Sequence, residues 1–285
     1  MKNKKITRVH RATGGHWVGD GFPVSTMFSY HNDQHDISPF LLLDHAGPAA
    51  FEPSDFPRGV EEHPHRGFET VTIVYQGEVE HRDNAGNSGK IGPGDVQWMT
   101  AGRGILHEEM HGMDFTRKGG TLEMIQLWVN LPAKDKMTAP GYQEIVAANI
   151  PRITFEDGAG HMRLIAGSYG DISGAAKTFT PVNLWDMKII AGKTVQLNVP
   201  EGHNTMLLTL SGKVRVNDDE TLAAKELGYL TQTGDTITLH AKEDSIVLLM
   251  SGTPIDEPIV GRGPFVMNTM KEISDAMTDY ALGRF

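Results

Sequence analysis

The sequence predicts an all-β protein of two β-barrel units, with one short helix near the C-terminus. Three observations lead there. Short runs rich in apolar and β-branched residues recur through the chain: Thr70–Tyr75, Val96–Thr100, Leu122–Val129, Trp185–Ile190, Thr205–Leu210, Thr236–His240 and Ile246–Met250. Turn-forming residues close them, among them Gln76-Gly77, Gly92-Pro-Gly-Asp95, Ser211-Gly212 and Thr233-Gly-Asp235. Many short strands at this spacing fit a sandwich or barrel rather than alternating βαβ units. The two halves also echo each other: Glu69 to Gly77 and Asn204 to Gly212 both run strand-then-glycine, and Gly92-Pro-Gly-Asp95 has a counterpart in Gln232-Thr-Gly-Asp235. Such an echo is what two copies of one unit would leave. Helical period appears clearly in one place, where Ile273, Ala276, Met277, Tyr280 and Ala281 fall on one face of a helix over Ile273–Leu282. Thr269-Met-Lys-Glu272 supplies its capping box.

With 285 residues, the chain exceeds what one core ordinarily serves, since single cores seldom grow past roughly 250–300 residues. The polar, proline-bounded stretch from Leu131 to Gly141 is the natural connection. It divides the chain into an N-terminal unit, 1–140, and a C-terminal unit, 141–285.

Charge and composition exclude several classes. Lys+Arg 26 against Asp+Glu 36 gives a net charge of -10, which opposes broad contact with a phosphate backbone. Direct nucleic-acid binding is not expected, and protein partners suit the acidic balance better. Cys 0 rules out disulfides, thiolate metal clusters and a cysteine nucleophile. No apolar segment follows the basic start Met1–Arg8, and Ile246–Met250 is far too short to span a bilayer. A cytoplasmic protein without membrane contact is the expectation.

The chemistry concentrates in His63-Pro-His65 and, about one hairpin later, His107-Glu-Glu109. On a strand, residues i and i+2 share a face, so each pair aims two donor groups at one point. Regular alternation from His65 places Glu69, Val71, Ile73 and Tyr75 on the same face, and Ile105 precedes His107 on its own side. The donors therefore point into the barrel interior, unless a bulge at Gly67 breaks the alternation. A single histidine is ordinarily a hydrogen-bonded or solvated residue. Two such pairs at this spacing instead read as a metal site. Neutral imidazoles with one carboxylate favour Fe(II), Mn, Ni, Cu or Zn over Ca or Mg. Spacing leaves the carboxylate open between Glu69 and Glu109.

Other positions are candidates for contacts around that site. Arg66 offers a charge beside the ligands, and Gln126, on the face of Leu122, Met124 and Trp128, offers a hydrogen bond to a bound molecule. His81 on the return strand reads as exposed or, as the alternative, as a contact behind the ligands, and Trp98 and Met99 read as packing residues. Gly102-Arg-Gly104 reads as a tight turn into the ligand strand, because no βαβ unit surrounds it. In the second half, Gly202-His203-Asn204 lacks a partner histidine, and His161 and His240 stand alone. No second metal is expected.

The segment His63–Tyr75, Pro93–Met110 with its "QWMTAGRGILH", Gln126–Met137 and Gly263–Asn268 together resemble the pirin family of the cupin superfamily, essentially from end to end. The resemblance implies a bicupin, two jelly-roll barrels of which the N-terminal one keeps its metal. It carries the ligand roles to His63, His65, His107 and Glu109, leaving Glu69 a neighbour. Four residues rather than two separate Gly102 from His107, a departure from the general cupin pattern that pirins share. The implied cofactor is one divalent transition metal, Fe(II) first, with Mn, Ni, Cu, Co or Zn as alternatives. Pirin-like quercetin 2,3-dioxygenases imply an activity: a flavonol opened by O2 with release of CO, Glu109 being the catalytic proton acceptor. The partners are then a small aromatic substrate and O2. The alternative the family implies is a metal-binding or redox-responsive regulator acting through a protein partner, as transcriptional cofactor or metabolic modulator.

Overall fold

A computed structural model describes residues 2–217 and 219–285, and of Gln34 the backbone alone. Its strands form two compact units. The first comprises Gly14–Ser29, Phe40–Ala147 and Ile255–Phe285. Its larger sheet runs, in spatial order, Gly141–Ile145, Val96–Thr100, Phe68–Gln76, Gly120–Asn130, Phe40–Phe51, Phe22–Ser29, His16–Val18. Its smaller sheet runs Gly59–His65, Ile105–His111, Val79–Asp83, Ser88–Ile91. The central strand Phe68–Gln76 is buried from Phe68 through Val74, which explains its nearly unbroken apolar and β-branched sequence.

The second unit comprises the chain up to Thr13, Tyr30–Pro39 and Ala148–Pro254. Its larger sheet runs Ile6–Arg11, Glu226–Leu230, Asn204–Ser211, Ser245–Gly252, Val182–Ile189, Gly160–Ala166, Arg152–Thr154, and its smaller sheet Thr194–Asn198, Thr236–Ala241, Lys213–Val216, Glu220–Ala223. Strand for strand this repeats the first unit, so the echo in the sequence is a duplicated jelly roll, and the chain is a bicupin. The smaller sheet's leading strands differ in cargo, however. Val195, Leu197, Ile237 and Leu239 join Trp185 and Leu207 in a filled apolar core. The matching strands of the first unit carry His63, His65, His107 and Glu109.

The units are not the linear halves 1–140 and 141–285. Ile6–Arg11 pairs antiparallel with Glu226–Leu230, as Gly141–Ile145 pairs with Val96–Thr100. Each large sheet thus has an edge completed by a strand from beyond the expected boundary, because open edge groups need partners. Ile255–Phe285, including the C-terminal helix, belongs to the first unit. The 131–143 stretch is no free linker: a 3-10 turn at Ala133–Asp135 leads into the edge strand.

The C-terminal helix is Met270–Ala281, beginning three residues before the expected Ile273. Thr269 Oγ1 accepts from the Glu272 N–H at 3.2 Å, while Glu272 Oε2 accepts the Asn268 N–H at 3.1 Å. The box therefore closes one residue upstream of its usual partner. Ile273 and Ala276 are buried beside Phe265 and Met267. The helix Tyr30–Ile37 was not anticipated, since its polar sequence has no apolar stripe. The Asn204 amide donates to the His35 carbonyl at 3.0 Å and the Ser38 carbonyl at 2.8 Å, satisfying groups at the helix end.

Candidate metal centre

Gly59–His65 and Ile105–His111 pair antiparallel with His107 opposite His63 and Ile105 opposite His65. The register shifts between His107 and Glu109, so Glu109 lies opposite Val60. The pairing converges three imidazoles: one ring nitrogen from each of His63, His65 and His107 lies within 4.8 Å of the others.

Their outward nitrogens are occupied. His63 Nδ1 meets the Glu61 carbonyl at 2.8 Å and His65 Nδ1 the Pro264 carbonyl at 3.4 Å. A carbonyl only accepts, so each Nδ1 carries the proton and each Nε2 keeps its lone pair. His107 Nδ1 faces His81 Nδ1 at 3.4 Å, and His81 Nε2 faces Asp83 Oδ2 at 3.2 Å. Asp83, whose oxygens also accept from Ala85 and Asn87 N–H groups, accepts from His81 Nε2, which leaves His81 Nδ1 to accept from His107. His107 Nε2 is then a buried lone pair with no hydrogen-bond partner among the described residues. Buried polar atoms are ordinarily satisfied. A cation held among the ring nitrogens that His63, His65 and His107 bring within 4.8 Å satisfies it, so the residues present fit a divalent metal ion.

Burial keeps the imidazoles neutral. It lowers the His65 pKa to about 3, with the neighbouring His63 acting in the same direction. It holds His107 well below the ordinary imidazole value, reinforced by His65, His63 and His81. His63 is lowered too, chiefly by burial. Neutral imidazoles are the form that binds metal.

Glu109 stands on the same strand, outside the imidazole group but in the same cavity. Gln97 Nε2 donates to its Oε1 at 2.5 Å, and Thr72 Oγ1 lies 3.2 Å from the same oxygen. Oε2 receives a longer contact from Gln126 Nε2, 3.4 Å. Burial raises the carboxyl to about 7 against the pull of Thr72 and Gln97. A cavity of about 340 Å³ opens between the two sheets, with His63, His65, Glu109 and Gln126 set among apolar neighbours such as Val24, Leu42, Met124 and Trp128.

The remaining candidates separate. Gln126 joins the site. Glu69 does not: it accepts from Thr100 Oγ1 at 2.7 Å, on the other face of its strand from Thr72. The regular alternation from His65 fails because Gly67, at φ 90°, turns the chain over. Phe68 rather than Glu69 then follows His65 on the inner side, 5.1 Å away between ring centroids. Arg66 points elsewhere, pairing with Asp279 at 3.0 Å and lying over the Phe285 ring. His81 is 1% exposed, contrary to its expected exposure, and stacks on Tyr142 at 4.6 Å. Trp98 and Met99 are core residues, as expected. Thr72, Gln97 and Asp83 escaped sequence reasoning, while His81 takes the second of its two expected places, behind the ligands. One signal was present: His81 and Asp83 are an i, i+2 pair on the return strand, facing Glu109 and His107 in register.

Imidazoles converging inside one jelly-roll barrel, in a chain whose second barrel is filled with apolar residues, define a cupin-type protein with a candidate metal site. The chain belongs to the pirin family: residues 21–129 match Pirin and residues 184–285 match the Pirin C-terminal cupin domain. A crystal structure of quercetin 2,3-dioxygenase from Acinetobacter baumannii is 51% identical, with a TM-score of 0.96, covering 99% of this chain and 98% of that one. A Pseudomonas aeruginosa protein whose name provisionally assigns it quercetin 2,3-dioxygenase activity is 52% identical over 282 residues, 99% of this chain and 98% of the relative. A pirin-like protein of Caulobacter vibrioides is 42% identical over 93% of this chain and 90% of its own length.

Proposed function

We propose that the chain is a metal-dependent dioxygenase of the pirin type, opening a flavonol such as quercetin with O2 and releasing CO. The observation that carries this reading is the buried, unpartnered Nε2 of His107, whose ring gathers with those of His63 and His65, two histidines that line an apolar cavity with a proton acceptor, Glu109. His63, His65 and His107 would hold one divalent transition metal, with Fe(II) first among the candidates. Glu109 is assigned as fourth ligand and as catalytic base. Its place two residues beyond His107 and in the same cavity supports the first role. A divalent ion there supplies Lewis acidity, lowering the pKa of a hydroxyl placed against it.

The chain's own groups do the rest. Glu109 Oε2, reached only by the longer 3.4 Å contact from Gln126, is the oxygen better placed to take the 3-hydroxyl proton, since Oε1 is engaged by Gln97. In the metal-free protein burial raises this carboxyl to about 7; beside a divalent ion the carboxylate is favoured, the form that accepts a proton. Gln126 and Thr72 hold Glu109 and one another, Thr72 Oγ1 donating to Gln126 Oε1 at 2.7 Å, so the base is fixed before a ligand arrives. The apolar wall excludes water, and its volume lies in the range of small-molecule sites, about 300–1,000 Å³.

The test is quercetin turnover under air by metal-loaded protein, read as CO in the headspace. Turnover that vanishes in His65→Ala supports the dioxygenase. Metal binding without any CO would instead favour the non-enzymatic regulator acting through a protein partner.

A further inference from the structure

One row of directly opposed residues across the larger sheet of the first unit is polar. Thr26 lies opposite Asp44, Asp44 opposite Gln126, Gln126 opposite Thr72, and Thr72 opposite Gln97. Opposed residues share a face, so all five side chains stand on the inner side. Three of them, Gln97, Thr72 and Gln126, are accounted for by their contacts with Glu109. Asp44 is not.

Asp44 is 8% exposed and lines the cavity beside Leu42, Met124 and Trp128. Thr26 Oγ1 donates to its Oδ1 at 2.6 Å. Among the described residues no lysine or arginine shifts its titration; burial raises it, and Thr26 and His16 pull the other way. A carboxylate set in an apolar wall with one hydroxyl donor is costly unless further hydrogen bonds reach it. An apolar residue would have served packing better there. Its position is informative as well. Neighbouring strands are about 4.8 Å apart, so Asp44 sits one strand past Gln126 and two past Thr72, on the order of 10 Å from the latter across the sheet.

We propose that Asp44 is a specificity-determining residue that receives a phenolic hydroxyl on the flavonol ring remote from the imidazoles, selecting ring-hydroxylated flavonols over unsubstituted ones. The proposal deepens the flavonol reading and rests on it. A ligand with its 3-hydroxyl beside Glu109 extends along the polar row, past Gln126, and ends against Asp44. Apolar neighbours on either side leave the carboxylate as the acceptor for a hydroxyl arriving there. A flavonol lacking ring hydroxyls leaves the buried Asp44 with no donor beyond Thr26, which is how a polar group in a cavity rejects an apolar analogue.

The experiment measures affinity without turnover. Metal-loaded wild type, Asp44→Ala and Asp44→Asn are titrated calorimetrically with quercetin and with 3-hydroxyflavone in the absence of O2. Wild type should prefer quercetin, and the ratio of the two affinities should fall about tenfold in Asp44→Ala, the scale of one hydrogen bond to a charged group. Asp44→Asn keeps the volume and one acceptor oxygen, so the ratio should fall less; it carries the test if the alanine variant does not fold. A ratio unchanged from wild type in both variants overturns the proposal, and so does the absence of binding by either flavonol. Admitting air to the same samples separates the two readings. An Asp44-dependent ratio with no CO defeats the dioxygenase and leaves the subsite, whereas CO with an unchanged ratio does the reverse.

Discussion

His107 Nδ1 lies 3.4 Å from His81 Nδ1, and His81 Nε2 reaches Asp83 Oδ2 at 3.2 Å. Asp83 is itself anchored, its Oδ1 accepting the Ala85 N–H at 3.0 Å and the Asn87 N–H at 2.9 Å. A rigid turn therefore sets the proton position on His81, and through it the lone pair that His107 presents. Outer partners of this kind typically contribute 10–100-fold in metal affinity. His81→Ala should weaken metal binding by about 30-fold while His63, His65 and His107 all remain, with Asp83→Asn weaker in effect but in the same direction. Competition against a chromophoric chelator reads this directly, and unchanged affinity in both variants would remove the relay from the site.

Glu109 and Glu69 are both buried and both raised to about 7, yet only Glu109 lies in the imidazole cavity. Glu109→Gln keeps the reach of an oxygen but loses negative charge and proton affinity. It should retain measurable metal and lose at least about 100-fold in turnover, the scale of general-base removal. Glu69→Gln should cost far less at equal metal occupancy. The opposite order would transfer the role to Glu69.

Stability of the metal-free protein should report the same carboxyl. In the unfolded chain Glu109 ionises near its ordinary value of 4.5, whereas burial holds it neutral up to about 7 in the fold. Its contribution is therefore whole below 4.5 and is lost as pH rises through about 7. Glu109→Gln should stabilise the metal-free protein at pH 8 by up to roughly 3 kcal/mol and have little effect at pH 5. His65, lowered to about 3, acts oppositely, its contribution being lost as pH falls from 6.5 toward that value. Comparing wild type with the single variant by urea unfolding at both pH values isolates Glu109.

Gly67 turns the strand over between His65 and Phe68 at φ 90°, and a Cβ there would collide with the Val266 carbonyl oxygen. Lys136 Nζ donates to the Gly67 carbonyl at 2.8 Å and to the Val266 carbonyl at 2.9 Å, locking both segments. Gly67→Ala should cost roughly 1–3 kcal/mol from backbone strain alone. The collision adds to that, and because it lies two residues from His65, metal content should fall along with the urea midpoint. A variant of wild-type stability and metal content would show that the turn does not set the ligand geometry.

Much of this was legible in the sequence because strands, turns and the HxH and HxE pairs are local patterns. Phe68–Gln76, Val96–Thr100 and Thr236–Ala241 all contain the runs expected of them. Long-range exchange was not legible: nothing near Ile6–Arg11 indicates that its partner is Glu226–Leu230. Alternation past Gly67 failed since a left-handed glycine reverses the faces, and the choice of Glu109 over Glu69 hangs on that one residue. His81 stays open in the sequence between exposure and a place behind the ligands, because nothing local shows that Tyr142 covers it. Gln97 and Thr72 sit within fully buried runs, where an isolated polar residue carries no hint of its partner in a distant strand.

The convergence of His63, His65 and His107 on one ion is tested most directly by counting metal. Wild type and a His63→Ala/His107→Ala double variant, loaded anaerobically with Fe(II) and desalted together, are compared by elemental analysis against protein concentration, with circular dichroism confirming that both are folded. Wild type should carry about one metal per chain and the double variant close to none, the expectation for a site built on three imidazole ligands. Equal metal content in the two proteins would contradict it.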